Sequence, residues 1–260
     1  MTEYTLYDPT GNITAFVTEP VSSDDRAAIA VEILKKEPTV EQVGFLSKCE
    51  NADIRLDMAC GEFCGNATMS SALHCFLADG HTEKRDFIIS VSGTPDPVPV
   101  TITPVCGGYE GRVKMPGPFV LKQQCFDIAG KKVVLPVVEM PGITHIIQQS
   151  DKGDTQITPD QGESVIRDLA SQIGAGCLGI LFYDHASSSM RPLVYSADID
   201  SLYWEGSCAS GTSALGYYLA STGSLAPWND LPVSQPGGTL RVASPSSGKV
   251  FITGSVKHIK

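Results

Sequence analysis

Short apolar runs, broken by Gly, Pro, Asn and Asp, set the rhythm of this chain. Tyr4–Tyr7 and Ile13–Val17 read as strands around Asp8-Pro9-Thr10-Gly11-Asn12, which has turn chemistry throughout. Ser23-Asp24-Asp25 caps a helix to about Lys36, with Ala28, Ile29, Val31, Ile33 and Leu34 as its apolar positions. Val43–Leu46 and Ile54–Met58 are short strands. Cys60-Gly-Glu-Phe-Cys64-Gly-Asn66 follows as a turn, and Ala67–Leu77 is small and helix-compatible. Strands come next near Phe87–Val91, Val98–Ile102 and Arg112–Met115.

The second half runs in the same order. Val133–Val138 and Ile143–Ile147 read as strands around Met140-Pro141-Gly142. Thr158-Pro159-Asp160-Gln161 has the form of a capping box with Pro at the first helical position, opening a helix to about Ile173. Strands at Leu178–Phe182 and Pro192–Ala197 lead to Trp204-Glu-Gly-Ser-Cys208-Ala-Ser-Gly-Thr212. A helix over Ser213–Ala220 and strands at Thr239–Ala243 and Lys249–Gly254 close the chain. Local sequence agrees with the repeat: Gly11-Asn12-Ile13-Thr14 resembles Gly142-Ile143-Thr144-His145, and Cys64-Gly65-Asn66-Ala67-Thr68 resembles Cys208-Ala209-Ser210-Gly211-Thr212. The cysteines are 144 residues apart (64 to 208), too long a period for a solenoid. The spacing predicts a duplicated domain with a seam near Gly117–Gly130.

Composition narrows the function classes. The 260 residues are 42% hydrophobic and 18% charged, which predicts a globule with a sizeable core. A net charge of -10 and the absence of a basic run disfavour nucleic acid and anionic membranes as partners. The N-terminal MTEYTLYDPTGN lacks the basic and apolar regions of a secretory signal, and no stretch approaches the roughly 20 apolar residues of a membrane span. The expectation is a cytoplasmic protein, with a homodimer as the default for a soluble enzyme. The eight cysteines are therefore expected as thiols, each of which could be a small buried hydrophobe.

Two of them have chemical promise. Cys64 and Cys208 each precede a predicted helix, in turns of Gly, Ala, Ser and Asn. The N–H groups at a helix start carry partial positive charge, which depresses a cysteine pKa and holds a carboxylate. Gly65 and Ala209 let the backbone approach a ligand. Facing each other, two such turns would grip one α-carboxylate and set a thiol on each face of Cα. One thiolate would take the α-proton while the other thiol returns one, with helix N–H groups aimed at the developing charge. Other readings stand beside this one. Cys60-x-x-x-Cys64 suggests a metal or redox pair, but no matching Cys/His pair has zinc-like spacing and no C-x-x-C exists. No metal site is expected. His74, on the helix after Cys64, and His145, within a strand, are read from the residues alone as packed histidines.

At these residues the chain resembles the diaminopimelate epimerase-like superfamily of racemases and epimerases that work without pyridoxal phosphate. Gly11-Asn12, Glu41-Gln42-Val43-Gly44-Phe45, Phe63-Cys64-Gly65-Asn66, Val113-Lys114-Met115-Pro116, Cys208-Ala-Ser-Gly-Thr212 and Gln235-Pro236-Gly237-Gly238 carry the likeness in order over nearly the whole chain. It looks closest to the histidine racemase branch of metallophore biosynthesis. The resemblance implies an α/β fold of two pseudo-symmetric domains, each a barrel-like sheet around a central helix. These are residues 1–118 with Cys64, joined by the last strand at 249–260, and residues 119–248 with Cys208, with the active site between them. It implies no cofactor and an amino-acid substrate. Cys64 and Cys208 would be the acid and base, with backbone groups of Gly65, Asn66, Ala209 and Ser210 on the carboxylate. Asn12 and Gln42 would line the substrate pocket, and His145 and Glu205 would support the thiols.

The departures are informative. Diaminopimelate epimerases carry Glu-Arg well before the second cysteine, and the arginine grips the distal carboxylate. Here Trp204-Glu205-Gly206-Ser207-Cys208 is shorter and has no arginine. Their Gly-Asn-Pro-His becomes Gly142-Ile143-Thr144-His145. The expected substrate is therefore a shorter or aromatic amino acid, histidine first. Diaminopimelate or another amino acid is the alternative within the superfamily. A non-catalytic protein that captures a small carboxylate is the alternative of another class, and a thiol-redox protein cycling a Cys64–Cys208 disulfide is a further one.

Overall fold

Parallel strand pairs bridged by a helix account for the chain's continuous apolar runs. The computed structural model describes residues 2–150, 157–197, 200–226, 229–246 and 249–259. It divides into two compact units, Met1–Pro116 with Phe251–Lys260, and Gly117–Val250. The first contains β1 (Thr5–Pro9), β2 (Thr14–Val17), α1 (Ser23–Lys36), β3 (Gln42–Ser47), β4 (Ile54–Met58), α2 (Gly65–Ala78), β5 (Arg85–Val91), β6 (Val98–Val105) and β7 (Gly108–Lys114). The second contains β8 (Val120–Ile128), β9 (Lys131–Met140), β10 (Ile143–Gln149), α3 (Pro159–Ile173), β11 (Cys177–Asp184), β12 (Ser189–Ser196), β13 (Ser201–Trp204), α4 (Ala209–Ser221), β14 (Leu231–Gln235) and β15 (Gly238–Ser246). The chain ends in β16 (Lys249–His258), whose residues from Phe251 onward belong to the first unit.

The first unit is a closed barrel. Its eight strands run in the order β1-β2-β3-β4-β5-β6-β7-β16, and β16 pairs back onto β1, with Tyr7 opposite His258. Closure leaves the sheet no open edge. Two parallel joints, β2 with β3 and β4 with β5, are bridged by α1 and α2. Helix α2 packs against β1 and β3–β7. A helix so enclosed must be apolar or small all round. Its sequence complies: Ala67, Met69, Ala72, Leu73 and Phe76 are fully buried. Its buried hydroxyls turn back to the helix, Thr68 Oγ1 donating to the Cys64 carbonyl at 2.7 Å and Ser71 Oγ to the Thr68 carbonyl at 2.9 Å.

In the second unit the strands run β8-β9-β10-β11-β12-β14-β15, with β13 also paired to β12. The parallel joints are β10 with β11, bridged by α3, and β12 with β14, bridged by α4. Strands β10 and β11 are buried over most of their length because α4 covers them and α3 adds a second layer on β11. Helix α3 has the expected start: Gln161 Oε1 accepts the Thr158 N–H at 3.0 Å. It ends at Gly174 in the left-handed region, φ 74°. Its buried Ile166, Leu169 and Ala170 lie at helical spacing and join a core with Phe126, Leu135, Ile180 and Leu193. Helix α4 is again buried nearly all round, and its hydroxyls repeat the inward turn, Thr212 Oγ1 to the Cys208 carbonyl at 2.6 Å and Ser213 Oγ to the Ala209 carbonyl at 2.7 Å.

Several boundaries differ from the sequence expectation. Helix α1 is preceded by Ser22, not Ser23, in the capping position. Helices α2 and α4 start at Gly65 and Ala209, earlier than expected at Ala67 and Ser213, because Gly65-Asn66 and Ser210-Gly211-Thr212 are helical where propensity alone disfavours them. Residues read as a seam form β8, and β13 and β14 were not expected. Strand β8 exposes Lys122, Gln123 and Cys125 and lacks the clean alternation that marks a strand. Strand β14 is a five-residue Leu-Pro-Val-Ser-Gln segment with one buried apolar side chain at its centre.

Candidate active site

Each promising cysteine occupies the capping position of the central helix of its own unit. Cys64 has φ −127° and ψ 110°, and Cys208 has φ −129° and ψ 108°. In both, the sulfur accepts a backbone N–H three residues on, from Ala67 at 3.4 Å and from Gly211 at 3.3 Å. The sulfur does what a Ser or Asp oxygen does at an ordinary helix start. In any helix the first N–H groups find no acceptor within the helix, so an anion at these turns meets aligned donors and the positive end of the dipole.

In the first unit the Gly11–Asn12 turn is tied to this helix start. The Pro9 carbonyl accepts Asn66 Nδ2 at 3.0 Å and the Asn12 N–H at 3.5 Å. Thr10 Oγ1 donates to the Ser255 carbonyl at 2.9 Å, anchoring the turn to β16. Asn12 is buried; its Nδ2 donates to Glu41 Oε2 at 2.7 Å, and its Oδ1 has no partner among the described residues. Gln42 follows Glu41 at the start of β3, in register with Thr14, and is half-buried. The structure thus ties Asn12 to the helix start of Gly65 and Asn66 through the Pro9 carbonyl and adds Glu41, quoted in the family motif but not singled out. Glu62, two residues before Cys64, is raised above the usual carboxylate range by burial, and its Oε2 accepts the Cys60 N–H at 3.1 Å. Half-buried His74 is bonded to the Tyr7 hydroxyl at 3.0 Å and is lowered by burial and then by His258. It is a packed histidine of the barrel interior.

The second unit builds a drier environment. Cys208 is 4% exposed. Its N–H donates to Gln235 Oε1 at 2.9 Å, and Gln235 Nε2 donates to Thr212 Oγ1 at 2.9 Å, so one side chain braces the cap and the first turn. Gln235 was visible only as part of a motif, and no residue pattern pointed to this brace. Ser210 Oγ lies 3.2 Å from Cys208 Sγ and 3.3 Å from His145 Nε2. His145, on β10, is fully buried, and burial lowers it to about 3. It is a neutral imidazole. Glu205 is half-buried and close enough to act on Cys208 electrostatically and by hydrogen bonding.

A helix start was expected to depress both cysteines, and Cys208 overturns this. Burial pushes its thiol well above the usual range, and Glu205 pushes the same way; Ser210 and the Gly211 N–H pull in the other direction and lose. The dipole argument presumes a solvated thiol, and this one is buried. No disulfide joins the eight cysteines among the described residues. Among the described residues no cluster of three or more His, Cys, Asp or Glu side chains is placed to hold a metal ion, and no helix is long and apolar enough to cross a membrane.

Comparison with known proteins adds an independent line. The model of the family described as the histidine racemase CntK N-terminal domain matches residues 1–258. The chain is 30% identical to a histidine racemase of Staphylococcus aureus over 260 residues, covering 98% of this chain and 93% of that protein. It is 30% identical over 262 aligned residues to a histidine racemase of Fusobacterium nucleatum, covering 99% and 94%. A solved structure of a predicted epimerase from Pseudomonas aeruginosa superposes with a TM-score of 0.74 at 13% identity, covering 100% of this chain and 98% of that one, a likeness of fold.

Proposed function

We propose that this chain, which belongs to the histidine racemase CntK N-terminal domain family, inverts the α-carbon of histidine with two thiols. That it is an isomerase follows from the family and its relatives. The finer reading, that Cys64 and Cys208 work on opposite faces of Cα, rests on one observation. Two cysteines in separate units adopt the same capping geometry, within a few degrees and a tenth of an ångström, at the start of a buried helix.

The chemistry runs as follows. Aligned N–H groups at Gly65, Asn66, Ala209 and Ser210 hold the substrate carboxylate. One sulfur removes the α-proton, the electron pair delocalises into that carboxylate, and the donors already facing it stabilise the added charge. The other thiol delivers its proton to the opposite face. High burial keeps Cys208 protonated at rest, the form a donor needs. Asn12, tied to the first helix start, and Gln42 orient the substrate, and His145 and Glu205 condition Cys208. The same order of strand pairings and bridging helices in the two units supports a pseudo-symmetric pair of domains. On this reading the domains meet at residues 118–119 and the last strand completes the first.

The test is α-proton exchange. L-Amino acids are incubated in D₂O with reductant and without pyridoxal phosphate, and the α-proton signal and chirality are followed. Histidine should exchange with formation of the D-isomer. Cys64→Ser and Cys208→Ser should each lower kcat/KM by roughly 10²–10⁴-fold, the range for loss of a general acid or base. A serine variant that racemises at the wild-type rate would sink the two-thiol mechanism. Exchange confined to another amino acid would remove histidine, and binding without exchange would favour a carboxylate-binding protein.

A further inference from the structure

Around Cys208 the two units differ in one feature that the duplication does not require. The residue two past the capping cysteine is Asn66 in the first unit, and its side chain donates to a backbone carbonyl. In the second unit the equivalent residue is Ser210, whose hydroxyl lies between a sulfur and an imidazole. Both contacts are within hydrogen-bonding range, at 3.2 and 3.3 Å, and all three side chains are buried.

The direction of this chain follows from the far side of the histidine. Nδ1 of His145 is buried with no hydrogen-bond partner among the described residues. A Cβ on Gly179, opposite His145 in the parallel pair of β10 and β11, would come within 2.3 Å of Nδ1. Glycine at 179 is what lets the ring lie there. The ring is neutral, so it carries one proton. A proton on Nδ1 would leave a buried N–H donor without an acceptor, which folded proteins rarely tolerate; an unfilled acceptor lone pair is the milder defect. The proton therefore belongs on Nε2, which donates to Ser210 Oγ. With its oxygen occupied as an acceptor, the Ser210 hydroxyl hydrogen turns to the sulfur.

We propose that Ser210, held by His145, donates its hydroxyl hydrogen to Cys208 and stabilises the thiolate formed each time that thiol gives up its proton. The need is plain from the surroundings. Among the described residues, Glu205 acts on the sulfur and opposes a second negative charge, and His145, beyond Ser210, is neutral and supplies none to balance it. The donors given to the sulfur among the described residues include the Gly211 N–H and Ser210. His145 acts through Ser210 as a positioning residue, not as a base. The proposal rests on the reading that Cys208 exchanges a proton during turnover.

The experiment reads the thiolate directly and needs no substrate. Full-length reduced protein is alkylated with iodoacetamide at fixed pH, and modification of the peptide containing Cys208 is timed by mass spectrometry. Alkylation rate follows the thiolate fraction. Ser210→Ala should slow it roughly tenfold, the single pKa unit that one lost hydrogen bond to a charged sulfur removes. The substitution removes an atom and blocks nothing, so slowing cannot arise from hindered access. Ser210→Thr, which keeps the hydroxyl, should stay within about twofold. His145→Leu should slow alkylation, while His145→Gln, which keeps an N–H at the Nε2 position, should restore most of it; this pair carries the test if Ser210→Ala does not fold. Wild-type rates in Ser210→Ala or His145→Leu would overturn the proposal, whatever the racemisation assay shows. The expected pattern with no racemisation of any amino acid would uphold the hydrogen-bond chain and count against the racemase reading alone.

Discussion

Replacing His145 by glutamine should flatten the acid limb of the protein's stability curve. A free histidine titrates near 6.5; burial holds this one at about 3. As pH falls, the unfolded chain takes up a proton on His145 that the folded chain refuses. The stabilisation is therefore complete above about pH 6.5 and is lost progressively down to about 3. At 1.36 kcal/mol per pH unit, two units below 6.5 remove about 2.7 kcal/mol by pH 4.5, and the whole span is worth about 5 kcal/mol. Urea unfolding at pH 7.5 and 4.5, followed by tryptophan fluorescence, measures it. Trp204 lies in the unit that contains His145. The wild type should lose about 2.7 kcal/mol more than His145→Gln between the two pH values. The packing cost of the substitution is nearly constant with pH and cancels in that comparison. Parallel losses in the two proteins would mean that folded His145 takes up its proton near the ordinary histidine value, and the burial argument would fail.

Two further substitutions test how the cysteine turns are held. Gly93 has φ +77°, and a Cβ there would lie 2.2 Å from the Phe63 nitrogen and 2.6 Å from the Glu62 carbonyl carbon, backbone that cannot rotate away. Gly93→Ala should cost about 2–4 kcal/mol from overpacking and left-handed strain. Because Phe63 precedes Cys64, racemisation should fall with it; an unchanged melting temperature would show the loop to be more pliable than drawn. Gln235→Ala removes the acceptor for the Cys208 N–H and the donor to Thr212. It should destabilise the protein by about 1–3 kcal/mol and lower kcat. Wild-type values for both would show that the brace is incidental.

The parts of this protein legible in its sequence are those set by local periodicity. Tight turns with Gly11 and Gly142, both at positive φ, come just before β2 in the first unit and β10 in the second. The cysteine turns were legible because small residues crowd where a buried helix begins. What stayed hidden depends on tertiary partners. Strand β8 carries Lys122, Gln123 and Gln124 and is a strand because β9 lies alongside, not because its residues favour one. Helix starts at Gly65 and Ala209 follow from caps supplied by sulfur, an unusual capping atom that propensity rules do not anticipate. The raised thiol at Cys208 needed burial and the place of Glu205, neither of which the spacing Glu205-x-x-Cys208 conveys. Gln235 reaches the Cys208 cap across 27 residues. Such a brace leaves no periodic trace.

The difference between the two thiols bears on how a racemase must work. In water the two enantiomers have equal energy, so kcat/KM must be the same in both directions once the free-enzyme forms equilibrate. Each turnover in one direction leaves the thiols in the reverse state of charge, and turnover in the other direction resets them. If Cys208 stayed as strongly protonated as its burial alone dictates, one direction would begin from an abundant enzyme form and the other from a scarce one. That imbalance cannot alter the ratio of kcat/KM values. It appears in kcat and KM separately, as a KM raised for the enantiomer that needs the scarce form. Donors on the Cys208 sulfur narrow the gap by stabilising the thiolate, while Glu205 widens it. On the two-thiol reading, removing the Ser210 hydroxyl therefore leaves the two kcat/KM values equal to each other while their KM values move apart.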